Sequence, residues 1–354
     1  MNMKIQFILF FLVFLLVYLS LNSYVILRVG GLIGIKKNIL YSFILLATLC
    51  LPISIYVEKI FPNIFSRVFY TISAFWMGIL FFAFCALLIY EMVNLFYTIP
   101  QAGWIIISVV SLLSIISAIN AIGIVVKEVE VPIKKLKKDI TIVQLSDIHI
   151  GTIRNSGFLK KIVRKVEELN PDIVMITGDM VDGSASLHGD MFNEFNKLNN
   201  PIYFVTGNHE VYEGVDNVYA LFNDTKIKIL KNEAVNFDGI QIIGIEYSEN
   251  KQHLEKALEN INIDKEKPSV LMYHSPQGME DAKKAGIDLQ IAGHTHNGQI
   301  VPFNLLVKMA FKHIQGLYNL RGMFLYVSPG TGTWGPYMRL GSKNEITLLK
   351  LKVR

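Results

Sequence analysis

Residues 140–149 read Ile140-Thr141-Ile142-Val143-Gln144-Leu145-Ser146-Asp147-Ile148-His149. Six mostly β-branched and apolar residues run straight into a polar cluster carrying a carboxylate and an imidazole. This is the pattern of a buried strand feeding a loop that carries chemistry. It recurs along the chain: 172–177 ends in Gly178-Asp179, 202–206 in Gly207-Asn208-His209-Glu210, 269–273 in His274, and 289–292 in Gly293-His294-Thr295-His296. Between the first two strands, Leu159, Ile162, Val163, Val166 and Leu169 fall at helical spacing over 158–169. Further strand-like runs lie at 240–247, 324–328 and 346–351. Strands interleaved with helices specify an α/β layered domain with buried sheets. In such sheets, polar groups just past the carboxyl ends of strands converge on one crevice.

Upstream of residue 127 the composition changes. The whole chain of 354 residues is 52% apolar and 18% charged. The first 126 residues hold six Lys/Arg and two acids, whereas the remaining 228 hold 28 bases and 27 acids and all eight histidines. The second part, at about 24% charge, has the ordinary content of a water-soluble domain. The first part is too apolar to be one. Disorder, a collagen-like fibre and a disulfide scaffold are excluded. Cys50 and Cys85 lie in apolar runs and form no disulfide framework. The net charge of +5 belongs mostly to the first part, so the second lacks the basic excess that nucleic acid requires, and no nucleic-acid partner is expected.

Four apolar runs, at about 5–27, 39–57, 68–90 and 103–126, have the roughly 20 residues needed to cross a bilayer. A basic juxtamembrane linker is expected at 127–138, and its Lys134-Lys135-Leu136-Lys137-Lys138 cluster either meets anionic head groups or is simply solvated. Lys/Arg counted in short loops favour the side bearing both termini by eight to three, which expects a multi-pass protein with the 139–354 domain in the cytosol.

Seven residues stand at the strand ends with ligand chemistry: Asp147, His149, Asp179, Asn208, His274, His294 and His296. Two carboxylates, four imidazoles and an amide oxygen suit Mn²⁺, Fe²⁺ or Zn²⁺, not a thiolate site. Asp147-x-His149 and His294-x-His296 are i, i+2 pairs, which in extended chain face one side. Seven ligands exceed one tetrahedral ion and fit two ions sharing a bridging carboxylate. His188, His253 and His313 follow no pattern and read as surface or core residues.

In this order, Ser146-Asp147-Ile148-His149, Gly178-Asp179-Met180-Val181-Asp182-Gly183, Gly207-Asn208-His209-Glu210, His274 and Gly293-His294-Thr295-His296 resemble the five blocks of calcineurin-like metallophosphoesterases over residues 139–354. The Gly293–Gln299 block, Gly316-Leu317-Tyr318, and Val327-Ser328-Pro329-Gly330 through Arg339-Leu340-Gly341 are similar to the membrane-attached YkuE-like branch. Asn297 departs from it, standing where glycine is commoner. The resemblance implies two packed mixed β-sheets flanked by helices, a four-layer α/β/β/α sandwich. It implies a first ion on Asp147, His149, Asp179 and His296, and a second on Asp179, Asn208, His274 and His294, bridged by Asp179. It implies that His209 binds no metal and serves the leaving oxygen, and that Asp182, Asn297 and Arg339 support the ligands or meet substrate; Asp182 reads equally as a turn cap.

The expected reaction is attack on phosphorus by a hydroxide that two cations generate near neutral pH. A histidine whose pKa lies near working pH suits the leaving oxygen. Phosphoprotein phosphatases of this superfamily carry Arg after Gly-Asp-x-x-Asp, but Gly183-Ser184 follow here, which disfavours phosphoproteins. The apolar, partly helical stretch 302–320 reads either as a helix covering the sheet or as a lid that touches the bilayer or houses acyl chains. The leading expectation is a membrane-anchored binuclear phosphodiesterase acting on a phosphoester or pyrophosphate of a lipid or lipid-linked head group. The alternatives are a phosphomonoesterase with the same site, or a non-catalytic membrane receptor with a vestigial one.

Overall fold

The computed structural model describes residues 3–185 and 187–354. The chain divides into two compact units, Met1–Ile119 with Gly335–Met338, and Asn120–Trp334 with Arg339–Arg354.

The first unit is built on helices α1 (Met3–Leu32), α2 (Lys37–Ile60), α3 (Ile64–Asn94) and α4 (Ala102–Ile122), the last continuing three residues into the second unit. All four are long and apolar enough to cross a membrane. The third starts where polar residues take up free amide donors: Asn63 accepts from the amides of Phe65 and Ser66, and Ser66 Oγ accepts in return from the Asn63 amide. Outer faces present residues such as Leu16, Leu45 and Ile72, as a hydrocarbon solvent allows. Within the bundle, Trp76 Nε1 donates to the fully buried Asn22 Oδ1 at 2.9 Å, tying α3 to α1. Arg28 grips Glu91 through two bonds of 2.5 and 3.0 Å, and Ser66 Oγ donates to buried Glu58 at 2.5 Å.

The fourth helix stops at Ile122, four residues short of the expected span. Gly123 ends it, and the β-branched run that follows enters a strand. The second unit then alternates β1 (Ile124–Ile133), β2 (Ile140–Leu145), α5 (Ser156–Leu169), β3 (Ile173–Thr177), β4 (Ile202–Val205), α6 (Asn208–Glu213), α7 (Val215–Ala220), β5 (Ile227–Ile229), β6 (Glu233–Phe237), β7 (Ile240–Gly244), α8 (His253–Glu259), β8 (Ser269–Met272), α9 (Met279–Ala285), β9 (Leu289–Ala292), α10 (Phe303–Ala310), β10 (Gly316–Asn319), β11 (Phe324–Val327) and β12 (Asn344–Val353).

Two six-stranded mixed sheets result, ordered β1-β12-β2-β3-β4-β5 and β10-β11-β9-β8-β7-β6. Side chains alternate across each strand. Ile142 of β2 and Met175 of β3 face Ile242, Met272 and Ile291 in the core between the sheets. Val143 and Ile176 face the opposite way, against Leu159, Ile162 and Val166 of α5. The outer face of the second sheet is covered by Leu254 and Leu258 of α8 and Ala282 of α9. The order is helices, sheet, sheet, helices, the expected four layers.

The expected linker at 127–138 is corrected over its first half. Residues 124–133 pair in parallel with β12 along ten positions, Ile124 opposite Asn344 through Ile133 opposite Val353. Its exposed charges are those of an edge strand, where they discourage pairing with another chain. Nor is the lysine cluster a free solvated segment: Leu136 is buried in the inter-sheet core, Lys135 pairs with Asp288 at 3.2 Å, and Lys138 pairs with Asp238. The stretch 302–320 is likewise helical only over α10, because Gly316 begins a strand antiparallel to β11.

Candidate metal centre

The carboxyl ends of β2, β3, β4, β8 and β9 each deliver one loop, and all seven expected ligands meet there. Asp147, His149, Asp179, Asn208, His274 and His296 are buried, and His294 is half-buried. Three donor groups each lie within 4.8 Å: Asp147 with His149 and His296, His149 with Asp179 and His209, and Asp179 with His274 and His294. Asp179 belongs to two of them. His188, His253 and His313 enter none.

The atoms facing one another have too few protons to share. His274 Nδ1 donates to the Thr177 carbonyl at 2.7 Å, so its Nε2 carries the lone pair in the neutral ring. That Nε2 lies 3.2 Å from Asn208 Oδ1, 3.3 Å from Asp179 Oδ2 and 3.2 Å from His294 Nδ1. On the other side His149 Nε2 and His296 Nε2 stand 3.0 Å apart, with His296 Nε2 3.2 Å from Asp147 Oδ1. Acceptors converging on a point at these distances fit a cation.

The electrostatics agree. Burial and the neighbouring His209 hold the His149 imidazole well below its ordinary range. Burial drives His294 down to about 4. Burial also opposes a proton on His274, but the Asp179 carboxylate outweighs it and lifts His274 to about 10. The proton drawn there is a charge that a metal ion would supply instead.

The loops pay for this convergence in backbone geometry. Asp147, His149, Asp179, His294 and His296 have φ between 50° and 69°, the left-handed region that L residues avoid. Gly293 lets one loop close on another: a Cβ there would strike Ser146 and Asp147. Asp147 is fixed by Ser146 Oγ, which donates at 2.6 Å, and by the His294 amide, which donates at 3.1 Å.

The supporting residues take distinct places. His209 Nδ1 donates to the Asp182 carbonyl at 3.1 Å, leaving Nε2 available for chemistry, and the ring is half-buried at the crevice. Asp182 Oδ1 faces His149 Nδ1 at 3.6 Å. Asn297 has φ 50°, which explains the preference for glycine at that position, and its side chain donates to the Gly341 carbonyl at 3.3 Å. Arg339 is fully buried, which removes it from substrate. It holds the carbonyls of His296 at 3.1 Å, Gly330 at 3.3 Å and Gly332 at 2.5 Å, so it shapes the loop behind His296.

Sequence reading gave Glu210 no role. Its carboxylate, fully buried, accepts from four amides: Gly207 at 2.6 Å, Asp179 at 2.9 Å, Met180 at 2.8 Å and Val181 at 3.2 Å. One side chain thus locks the β3 loop to the β4 loop. Burial and the Asp179 charge push it up to about 7. The signal was the capping-box spacing from Gly207 to Glu210 at the start of α6.

An aromatic rim surrounds the cluster. Tyr212 and Trp334 stand 5.7 and 6.4 Å from the His209 ring, and Tyr247 and Phe311 stand 5.9 and 5.2 Å from His294.

Residues 140–298 match the family model of the calcineurin-like phosphoesterases. A metallophosphoesterase of Helicobacter pylori strain J99 is 36% identical over 236 residues, covering 64% of this chain and 63% of that one. A transmembrane protein with metallophosphoesterase domain from Bos taurus is 37% identical over 254 residues, covering 64% of this chain and 57% of that one. The chain thus spans under two thirds of the length of these two relatives. A metallophosphoesterase of Aquifex aeolicus is 31% identical over 240 residues, and there the match covers 91% of the relative. With the strand-end donors and the two-sheet fold in place, this chain belongs to the calcineurin-like metallophosphoesterase family.

Proposed function

We propose that this chain is a membrane-anchored, metal-dependent hydrolase of phosphodiesters or pyrophosphates, lipid and lipid-linked head groups included. Asp147, His149, Asp179 and His296 would hold one divalent ion, and Asp179, Asn208, His274 and His294 a second, of Mn²⁺, Fe²⁺ or Zn²⁺. The observation that carries the reading is His274: its Nε2 lone pair faces a carboxylate, an amide oxygen and a second imidazole nitrogen at 3.2–3.3 Å. Bound ions supply two things, an acidified water and positive charge against the phosphoryl oxygens.

The chain's own residues supply the rest. Asp179 is oriented by Glu210 through its own amide, and its Oδ1 accepts from the His209 amide at 2.9 Å. This fixes His209 beside the cluster, with Nδ1 committed to the Asp182 carbonyl and Nε2 free to hold or pass a proton at the leaving oxygen. The crevice walls Tyr212, Trp334, Tyr247 and Phe311 limit water and frame an entering phosphoester. Lys/Arg bias favours the cytosolic side for this domain.

The test is turnover of paired diester, pyrophosphate and monoester substrates by the full chain, before and after chelation. The expected result is diester or pyrophosphate hydrolysis that chelator abolishes and Mn²⁺, Fe²⁺ or Zn²⁺ restores. Hydrolysis of monoesters alone, or turnover indifferent to chelator, would overturn the reading.

A further inference from the structure

Helix α10 is amphipathic the wrong way round for a water-soluble domain. None of its residues is buried. Leu305 is 61% exposed, Leu306 55% and Met309 84%, while the backbone of Asn304, a polar residue, lies against Gly298 of the metal-site loop. A helix that merely covered the sheet would turn its leucines inward. This one follows the His294–His296 loop and turns them out, and Phe311 at its end packs on His294.

The same surface continues around the mouth of the site. Tyr212, 64% exposed, and Trp334, 51% exposed, both stand over His209. Beyond β1, the large exposed apolar side chains of this unit gather in the segments bordering the metal site, Leu317 on edge strand β10 and Val353 excepted among the described residues. Single exposed apolar residues need no explanation, but a contiguous collar does. Aromatic residues with one polar edge, apolar residues on one face and lysines beside them make the composition of a helix lying in a membrane interface. The lysines are Lys308 and Lys312, both exposed.

We infer that α10, with Tyr212 and Trp334, is a membrane-contact collar that sets the metal site against the bilayer surface, so that it draws its phosphoester from the lipid phase. The occupant is named by the chain itself. A single residue, Gly123, separates α4 from β1, so the domain is held to the bilayer by a tether of one residue. The substrate part rests on the activity proposed above; the contact does not.

The test uses the full chain in nanodiscs of phosphatidylcholine with phosphatidylglycerol, with Cys50 and Cys85 replaced by serine. A nitroxide is placed at Met309→Cys, and at Lys160→Cys on α5 as the reference; both positions are exposed, so neither substitution disturbs packing. Power saturation with oxygen and with a water-soluble nickel chelate reads depth. The expected result is a Met309 label favouring oxygen by several-fold over the Lys160 label. Equal nickel access at the two positions, or spin–spin broadening showing a second copy on this face, would overturn the contact. In a second arm, Leu305→Asp is expected to lower the ratio of kcat/KM on a membrane-embedded diester to that on a water-soluble diester at least tenfold. An unchanged ratio would overturn lipid-phase supply. Absence of all hydrolysis would count against the proposed activity, and the depth reading would still decide the contact.

Discussion

Glu210 shows how one residue can hold a site together without touching what reacts. Its carboxylate satisfies amides of both the Asp179 and the Asn208 loops. Glu210→Ala strands buried amides at a cost of about 1–3 kcal/mol for each that water does not reach. At roughly 2–4 °C per kcal/mol for a domain of this size, the melting temperature should fall by about 10 °C. Glu210→Gln should fall less, since it keeps one oxygen acceptor. A Glu210→Ala protein melting within a degree of wild type would contradict this role. The candidate ligands were legible in sequence because each follows an apolar strand at fixed offset. Glu210 was not, because three of its four partners lie 29–31 positions away along the chain and all four are backbone. Sequence leaves Arg339 open between supporting the ligands and meeting substrate, because its bonds to the His296, Gly330 and Gly332 carbonyls, which bury it, are visible only in the fold.

At the scale of elements, the strands read correctly were those with largely apolar runs, β2, β3, β4, β7, β8, β9, β11 and β12. Those missed, β1, β5, β6 and β10, carry polar or exposed positions, and all four are sheet edges with one side unpaired. The Lys127-Glu128-Val129-Glu130-Val131 alternation is an edge strand's pattern, masked by its position directly after a membrane helix. The contribution of the strand and the residues just after it is large: Val131, Ile133 and Leu136 are buried in the inter-sheet core. At about 1.5–3 kcal/mol each, their removal costs roughly 5–9 kcal/mol, which is comparable to the whole stability of a typical domain. A fragment beginning at Ile124 should therefore fold with a cooperative thermal transition, and one beginning at Asp139 should not. Equal melting temperatures for the two would contradict the assignment of β1 to the domain.

On the scale of the whole molecule, the sequence splits at residue 127 by charge, and the backbone splits slightly earlier, at Gly123. Four helices long and apolar enough to cross a membrane precede a metallophosphoesterase-family domain, with one residue between the last of them and β1. In the function proposed above, this arrangement confines the reaction to one face of a bilayer. Lys/Arg counting favours the cytosol for that face, and on that reading protease added to sealed, right-side-out cells or spheroplasts should spare the 139–354 region and cleave it only after permeabilisation. Cleavage without permeabilisation would reverse the orientation. Two-ion chemistry is the centre of the account, and metal content tests it most directly. The full chain, purified in detergent and loaded with Mn²⁺, is predicted to hold close to two ions by elemental analysis, and His294→Ala, which removes a ligand from one set only, close to one. One ion or fewer in the wild type, or the same number in both proteins, would contradict it.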